Sequence, residues 1–501
     1  MDFLNYFGNV FTPYHLMLLL GGTTAGLILG ALPGLSPTMA VALIIPFTFH
    51  MQPDSGLILL GAMYTSTVAG GAISAILVNV PGAPANIATA LDGHQLARKG
   101  RASEALHYCF LSSFVGGMFG IVILIFFTPP LADLALKFGP TELFWIAILG
   151  ITVIGTIGSK SVLKGLMAGL FGLAISTIGD NPMLGEQRFV YSEHMESGVH
   201  IVVALIGLFA LPQILNLLEE SRKGASSDMF ALSKAKWFES LVYNISRVKA
   251  LTIGSLVGAI VGVIPGAGGQ IAGLVAYDQA KKMSDNPQNF GQGEPDGIIA
   301  AESANNAMVG PSLVPLLTLS IPGSPTAAVL LGGLLIHGLF PGPDLFTLHG
   351  EVIWTFIDSL IIAQIFMVVI GLFLSRHSGW IMKIPSHYMA ASILILAVFG
   401  TYSIQSSYSD VLIMMVLGVI MYFASKFGFG PAPVVLGIIL GPIAEDNFLQ
   451  GKLISEAGDG MMNYFFTGTI NIILILATIG SIAYSVYASH KMKQKEVAAD
   501  V

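Results

Sequence analysis

Of 501 residues, 54% are hydrophobic and only 10% charged, against roughly 25% charged in a soluble domain, so the chain lacks the polar surface to coat itself with water. A net charge of −7 gives no basic footprint for nucleic acid, and a single cysteine, Cys109, excludes an intrachain disulfide and a cysteine-rich metal or redox centre. Apolar runs recur from Tyr14 to Tyr487, many reaching the ~20 residues that cross a bilayer, and we read the chain as an all-α polytopic membrane protein with about 12 transmembrane segments.

In chain order, MDFLNYFGNV carries no Lys or Arg ahead of the first apolar run, so no cleavable signal peptide is expected. Residues 14–49 are interrupted by Pro33-Gly34, which predicts two short spans or a re-entrant hairpin. A second break falls at Pro81-Gly82, and Cys109 lies in the apolar stretch Leu106–Phe127, where it reads as a small buried hydrophobe. A polar linker at residues 220–249, with Ser226-Ser227-Asp228, precedes two further breaks, Pro265-Gly266 and Pro322-Gly323. One last span, Tyr464–Tyr487, and a tail with Lys491, Lys493 and Lys495 end the chain.

Nineteen of the 22 Lys and Arg fall in one alternating set of connections: 91–104, 159–164, 219–249, 281–297, 375–387, Lys426 and the tail. The other set holds only Lys137, Arg188 and Lys452. The positive-inside rule makes the first set cytoplasmic, the N-terminus periplasmic and the C-terminus cytoplasmic.

The two parts resemble each other. GLILGALPG from Gly26 aligns with GAIVGVIPG from Gly258 at an offset of 232, VPGAP from Val80 with IPGSP from Ile321 at 241, and VIGT from Val153 with VFGT from Val398 at 245. Ordered matches at slowly growing offsets argue for duplication. Equivalent loops carry opposite charge balances: 91–104 has three basic residues and 340–351 none, while 50–56 has none and 281–297 two. The expected organisation is therefore a first inverted repeat over 1–219, a cytoplasmic linker over 220–249, a second repeat over 250–463, an extra helix over 464–487 and a basic tail over 488–501. Inverted repeats with broken helices are a design of secondary transporters, with the substrate near the midplane.

Each Pro-Gly break can end one half-helix and start another, because proline removes a donor and glycine permits φ > 0. N–H groups at a new N-terminus suit an anion, and carbonyls freed at an old C-terminus suit Na⁺. Candidate substrate-binding residues are thus Pro33, Gly34, Ser36, Thr38, Pro81, Gly82, Asn86, Pro265, Gly266, Gly268, Gln270, Pro322, Gly323, Ser324 and Thr326. Between the breaks, the polar clusters around Thr65-Ser66 and Glu302-Asn305-Asn306 are candidates for cation coupling, with Glu302 a proton or cation site. The plainer readings are helix–helix hydrogen bonds, ordinary kinks and a helix-end carboxylate. Asp278 and Asp358 are the other ionisable groups inside spans, and no Lys or Arg lies there, so a bound anion would be neutralised by dipoles, hydroxyls, amides and a co-bound cation. The 11 His residues show no metal spacing, Gly266-Ala267-Gly268-Gly269 lacks the ending of a phosphate loop, and no HExxH or GxSxG motif supports an enzyme.

The strings GALPGLSPTMAVALIIPFTF, NVPGAPANIATALDGHQLARKG, GVIPGAGGQIAGLVAYDQAKK and LSIPGSPTAAVLLGGL resemble those of the large membrane subunit of tripartite tricarboxylate transporters, a TctA-like family, from about Leu20 to about Asp459. The resemblance implies a secondary transporter of the bacterial inner membrane that imports carboxylates such as citrate by symport with Na⁺ or H⁺. It also implies a small membrane subunit, a periplasmic substrate-binding protein and an elevator-like movement, with no cofactor beyond the coupling ion. Another organic anion (a dicarboxylate or aromatic acid), and a non-transporting membrane scaffold or channel, remain the alternatives.

Overall fold

The computed structural model describes residues 3–157, 161–181, 185–190, 195–196, 198–222, 235–265, 268–342, 344–377, 384–456 and 460–483. It is helical almost throughout; one two-residue ribbon, Gly179–Asp180 against Gln187–Arg188, is the only sheet among these residues. Most of the linker, including Ser226-Ser227-Asp228, and the basic tail lie outside the described residues.

The first part runs α1 (Pro13–Ala31), α2 (Pro37–Thr48), α3 (Pro53–Val78), α4 (Ile87–Arg98), α5 (Ala102–Ala135), α6 (Pro140–Ile157), α7 (Val162–Ser176) and α8 (Ile201–Glu219). After α9 (Trp237–Ser246) come α10 (Val248–Val263), α11 (Gly268–Met283), α12 (Pro295–Ala307), α13 (Val309–Leu319) and α14 (Pro325–Ile336). Then follow α15 (Gly350–Leu374), α16 (Ser386–Gln405), α17 (Tyr408–Lys426), α18 (Pro431–Glu456), α19 (Met461–Phe466) and α20 (Thr469–Ala483). Eight described helices are long and apolar enough to cross a membrane singly, α9 and α10 form a pair bent by 73°, and five further apolar helices have 10–17 residues. The last predicted span is two helices, parted at Thr467-Gly468, where Gly468 takes φ +88°.

Prolines set many of the helix starts: α1, α2, α3, α12 and α14 each begin on proline, whose missing N–H has no intrahelical partner to lose. Helices part at the breaks, but of the Pro-Gly glycines described only Gly34 takes positive φ; at Pro81-Gly82 and Pro322-Gly323 the residue that closes the preceding helix makes the left-handed turn. Gly34 takes φ +81°, and α3 and α13 end on left-handed residues, Asn79 (φ 57°) and Ser320 (φ 61°).

Helix α3 is the centre, almost wholly buried, whereas α16 and α17 lie at the periphery with most of their surface outward. Glycines permit the closest packing. Gly22, Gly26 and Gly30 of α1 lie on α3, and a Cβ at Gly30 would stand 2.5 Å from the Thr67 carbonyl. At the offsets of 232 and 241, Gly254, Gly258 and Gly262 of α10 lie in the same way on the carbonyls of Ala300, Ala304 and Met308. Gly82 N–H donates to Gly71 O (3.3 Å) and Gly323 N–H to Ser312 O (3.1 Å), again 241 apart. Each broken hairpin thus seats its loop on the helix pair of its own part, and α2 then packs on α14 while α11 packs on the 84–86 turn ahead of α4.

Candidate substrate and cation sites

The short helices that follow the breaks bring their N-termini together. Ser36 caps α2 by accepting the Met39 N–H (3.3 Å), and Ser324 caps α14 by accepting the Ala327 N–H (3.1 Å). Two residues past each cap, Thr38 and Thr326 share a hydrogen bond across the two parts, 3.0 Å between hydroxyls. The Tyr64 hydroxyl of α3 lies 2.7 Å from Ser324 Oγ and 3.2 Å from Ser312 Oγ. Gly268 opens α11 in the left-handed region (φ +58°) and faces Pro325 and Ser324. The result is a buried patch of hydroxyls between two helix N-termini, whose remaining N–H groups carry partial positive charge. Among the described residues no Lys or Arg reaches it.

Gly34 turns instead toward Gln213 and Leu217 of α8. Pro81-Gly82 and Pro322-Gly323 act through backbone, the glycines resting on the Gly30 and Gly262 carbonyls. Pro265 ends the described part of its break; Gly266 and the side chain of Gln270 lie outside the described residues.

A second cluster surrounds Glu302, which is fully buried in mid-helix and not at a helix end. Its Oε1 accepts from Asn86 Nδ2 (3.2 Å) and the Thr89 hydroxyl, and its Oε2 from Ser113 Oγ (3.1 Å). Asn306 Nδ2 donates to Ser113 Oγ (2.8 Å) and to the Glu302 carbonyl (3.2 Å). No cation balances this carboxylate among the described residues. The side-chain oxygens of Asn86, Asn305 and Asn306 are buried without a donor, and the amide nitrogen of Asn305 without an acceptor. Oxygen-rich surroundings of this kind suit a hard monovalent ion or a proton on Glu302. The N-terminus of α11 joins the two clusters, since Gly268 faces Ser324 while Gly269 faces Asn305 Oδ1 and Ala85.

Thr65 and Ser66 stand apart, donating to the Gly61 and Ala62 carbonyls of their own helix, and no hydrogen bond joins them to Glu302. Asp278 pairs with Lys282 at the exposed surface (2.5 Å). Asp358 is buried with both oxygens unpartnered. Thr89, Ser113 and Ser312 escape sequence reasoning because none adjoins a Pro-Gly pair and a hydroxyl within a helix does not name its partner; for Thr89 the spacing of one turn from Asn86 is the available signal.

A cavity of about 420 Å³ lies elsewhere, at the far end of α14, lined by Asp180, Arg188, Glu196, His200, Glu445 and Asp446 among others. Arg188 forks onto Glu445 there (2.5 and 3.0 Å), and burial lowers the His200 imidazole pKa from its usual value. Its four carboxylates make it a poor seat for an anion, so the candidate site is placed at the breaks on their chemistry.

The family profile described as "Tripartite tricarboxylate transporter TctA family" matches residues 16–436. A relative in Agrobacterium vitis, "Uncharacterized 52.8 kDa protein in TAR-I ttuC' 3'region", is 34% identical over 495 residues, 98% of this chain and 97% of its own. A second from the same organism, "Uncharacterized protein in TAR-II ttuC' 3'region", is 34% identical over 240 residues, 48% of this chain and 98% of its own. No solved structure matches the chain.

Proposed function

Because the chain belongs to the TctA family of tripartite tricarboxylate transporters, we propose that it is the large membrane subunit of a carrier that imports a carboxylate, citrate first, across the bacterial inner membrane by symport with Na⁺ or H⁺. A periplasmic binding protein delivers the substrate and a small membrane subunit completes the complex. The observation that carries the reading is the convergence of the Ser36- and Ser324-capped helix N-termini on one hydroxyl patch, one helix end away from the buried Glu302, which meets no Lys or Arg among the described residues. An anion at the patch gains N–H dipoles and hydroxyls but no arginine. A cation at Glu302 would offset its charge, which gives symport a physical reason. The same glycine–carbonyl contacts recur at offsets of 232 and 241, which supports duplication; the opposite loop charges are what favour inversion. An elevator-like cycle would move the break-bearing helices as a body against α6, α7 and α18.

The test is uptake of radiolabelled citrate into vesicles holding the complex, with the binding protein added, under imposed Na⁺ or H⁺ gradients. Accumulation should require one gradient, and Glu302→Gln should abolish accumulation while the protein still reaches the membrane. Uptake indifferent to both gradients overturns symport; a binding protein that takes a dicarboxylate or aromatic acid in place of citrate reassigns the substrate.

A further inference from the structure

Helix α4 carries a further buried carboxylate, Asp92, fully enclosed. Its Oδ1 accepts three backbone N–H groups from the loop ahead of α12: Gly291 at 2.8 Å, Gly293 at 2.7 Å and Glu294 at 2.8 Å. Its Oδ2 accepts the Tyr277 hydroxyl of α11 at 2.8 Å. Gly291 and Gly293 hold φ of +85° and +98°, which turns their N–H groups inward to form a concave anion seat. The carboxylate from the first part of the chain fills the seat built by the second. Lys99, just beyond α4, adds a bond to the Gln292 carbonyl at 2.6 Å.

Asn86, Thr89 and Asp92 are spaced by three and share one face at the start of α4. The first two hold Glu302, and the third holds the loop from which the helix of Glu302 springs. One helix face therefore docks at both the start and the middle of the same segment. Position 333, at the offset of 241, is a glycine packed on Leu60, so the α14 hairpin has no equivalent.

We propose that Asp92 is a positioning residue: its carboxylate clasps the 291–294 loop and thereby keeps Asn86 and Thr89 on Glu302, holding the cation site closed at the end where the basic connections gather. The role of that closure in symport rests on the function proposed above; the clasp itself does not.

Cys109 provides the reporter, being the chain's single cysteine, fully buried and one helical turn before Ser113, which donates to Glu302. In membranes holding the full-length chain, N-ethylmaleimide should label wild type slowly and Asp92→Ala about tenfold faster or more, because an unclasped α4 opens locally. Asp92→Asn keeps an oxygen for the three N–H groups and a donor for the Tyr277 oxygen, so its labelling should stay within about twofold of wild type. Unchanged labelling in Asp92→Ala overturns the clasp, as does Asp92→Asn reacting as fast as Asp92→Ala. Should Asp92→Ala fail to reach the membrane, Tyr277→Phe, which drops one of the four bonds, should show a smaller rise; no rise overturns the proposal. In citrate uptake, Asp92→Ala should raise the half-saturating concentration of whichever cation, Na⁺ or H⁺, drives wild-type uptake and keep the maximal rate, whereas a fall in maximal rate alone would mark a merely structural residue and overturn it. If wild-type uptake proves indifferent to cations, symport falls, while the labelling series still decides the clasp.

Discussion

Ser36 and Ser324 do the same local work in different company. Each accepts an N–H at the third position of its helix, but only Ser324 also meets a tyrosine hydroxyl, 2.7 Å away. Loss of an N-cap costs about 1 kcal/mol, and losing the shorter of the Tyr64 hydroxyl's two bonds, with Ser312 still at 3.2 Å, costs up to about 1 kcal/mol more. Ser36→Ala should therefore lower the stability of the detergent-solubilised protein modestly and Ser324→Ala by more, read as melting temperature. Equal losses would show that the Tyr64 contact adds nothing. At this scale the sequence pointed to Ser36 and Ser324 as polar groups beside Pro-Gly breaks, a local signal, and the structure makes them helix caps. It did not reveal Thr89 or Ser113, because a hydroxyl within a helix says nothing about the carboxylate it will meet from about 190 to 213 residues away.

Along the helices, the excess of glycine has two uses. In α1 and α10 it forms stripes that bring backbone within contact of backbone, where no side chain fits. Gly30→Ala would place a Cβ 2.5 Å from the Thr67 carbonyl, an overpacking of about 1–3 kcal/mol. Gly21→Ala, on the same helix with nothing within 4 Å, should be neutral or raise stability by up to about 1 kcal/mol, the usual helix advantage of alanine. Thermal unfolding of the pair separates packing from propensity; a matching loss at both positions would refute the close-contact account. The second use is at Gly34, Gly268, Gly291 and Gly293, where positive φ turns the chain or its N–H groups. The sequence shows that glycine is abundant, but a stripe and a turn look alike until the neighbouring helix is known.

For the whole molecule, contacts gather the connections by charge. Lys99 reaches Gln292, Lys249 reaches Met283, and Lys164 and Lys426 reach Phe427 and Glu219, all between segments of the basic set. From the sparsely basic set, His337 lies 3.2 Å from Thr48 and Arg188 pairs with Glu445. If the basic end faces the cytoplasm, a cysteine at the exposed Gln52 should react with an impermeant maleimide in intact cells, and one at the exposed Gln288 only after permeabilisation. The reverse pattern would invert the orientation and the direction of transport with it. The membrane class, the helix breaks and the sorting of loops by charge were determined by the sequence alone, because hydropathy, proline and lysine act through local exchange with lipid and water. Which hydroxyls meet at Ser324, which donors hold Glu302 and what fills the 291–294 seat were decided only by tertiary structure. Inside a bilayer every polar group must find its partner within the protein, and that partner is set by which helices approach one another.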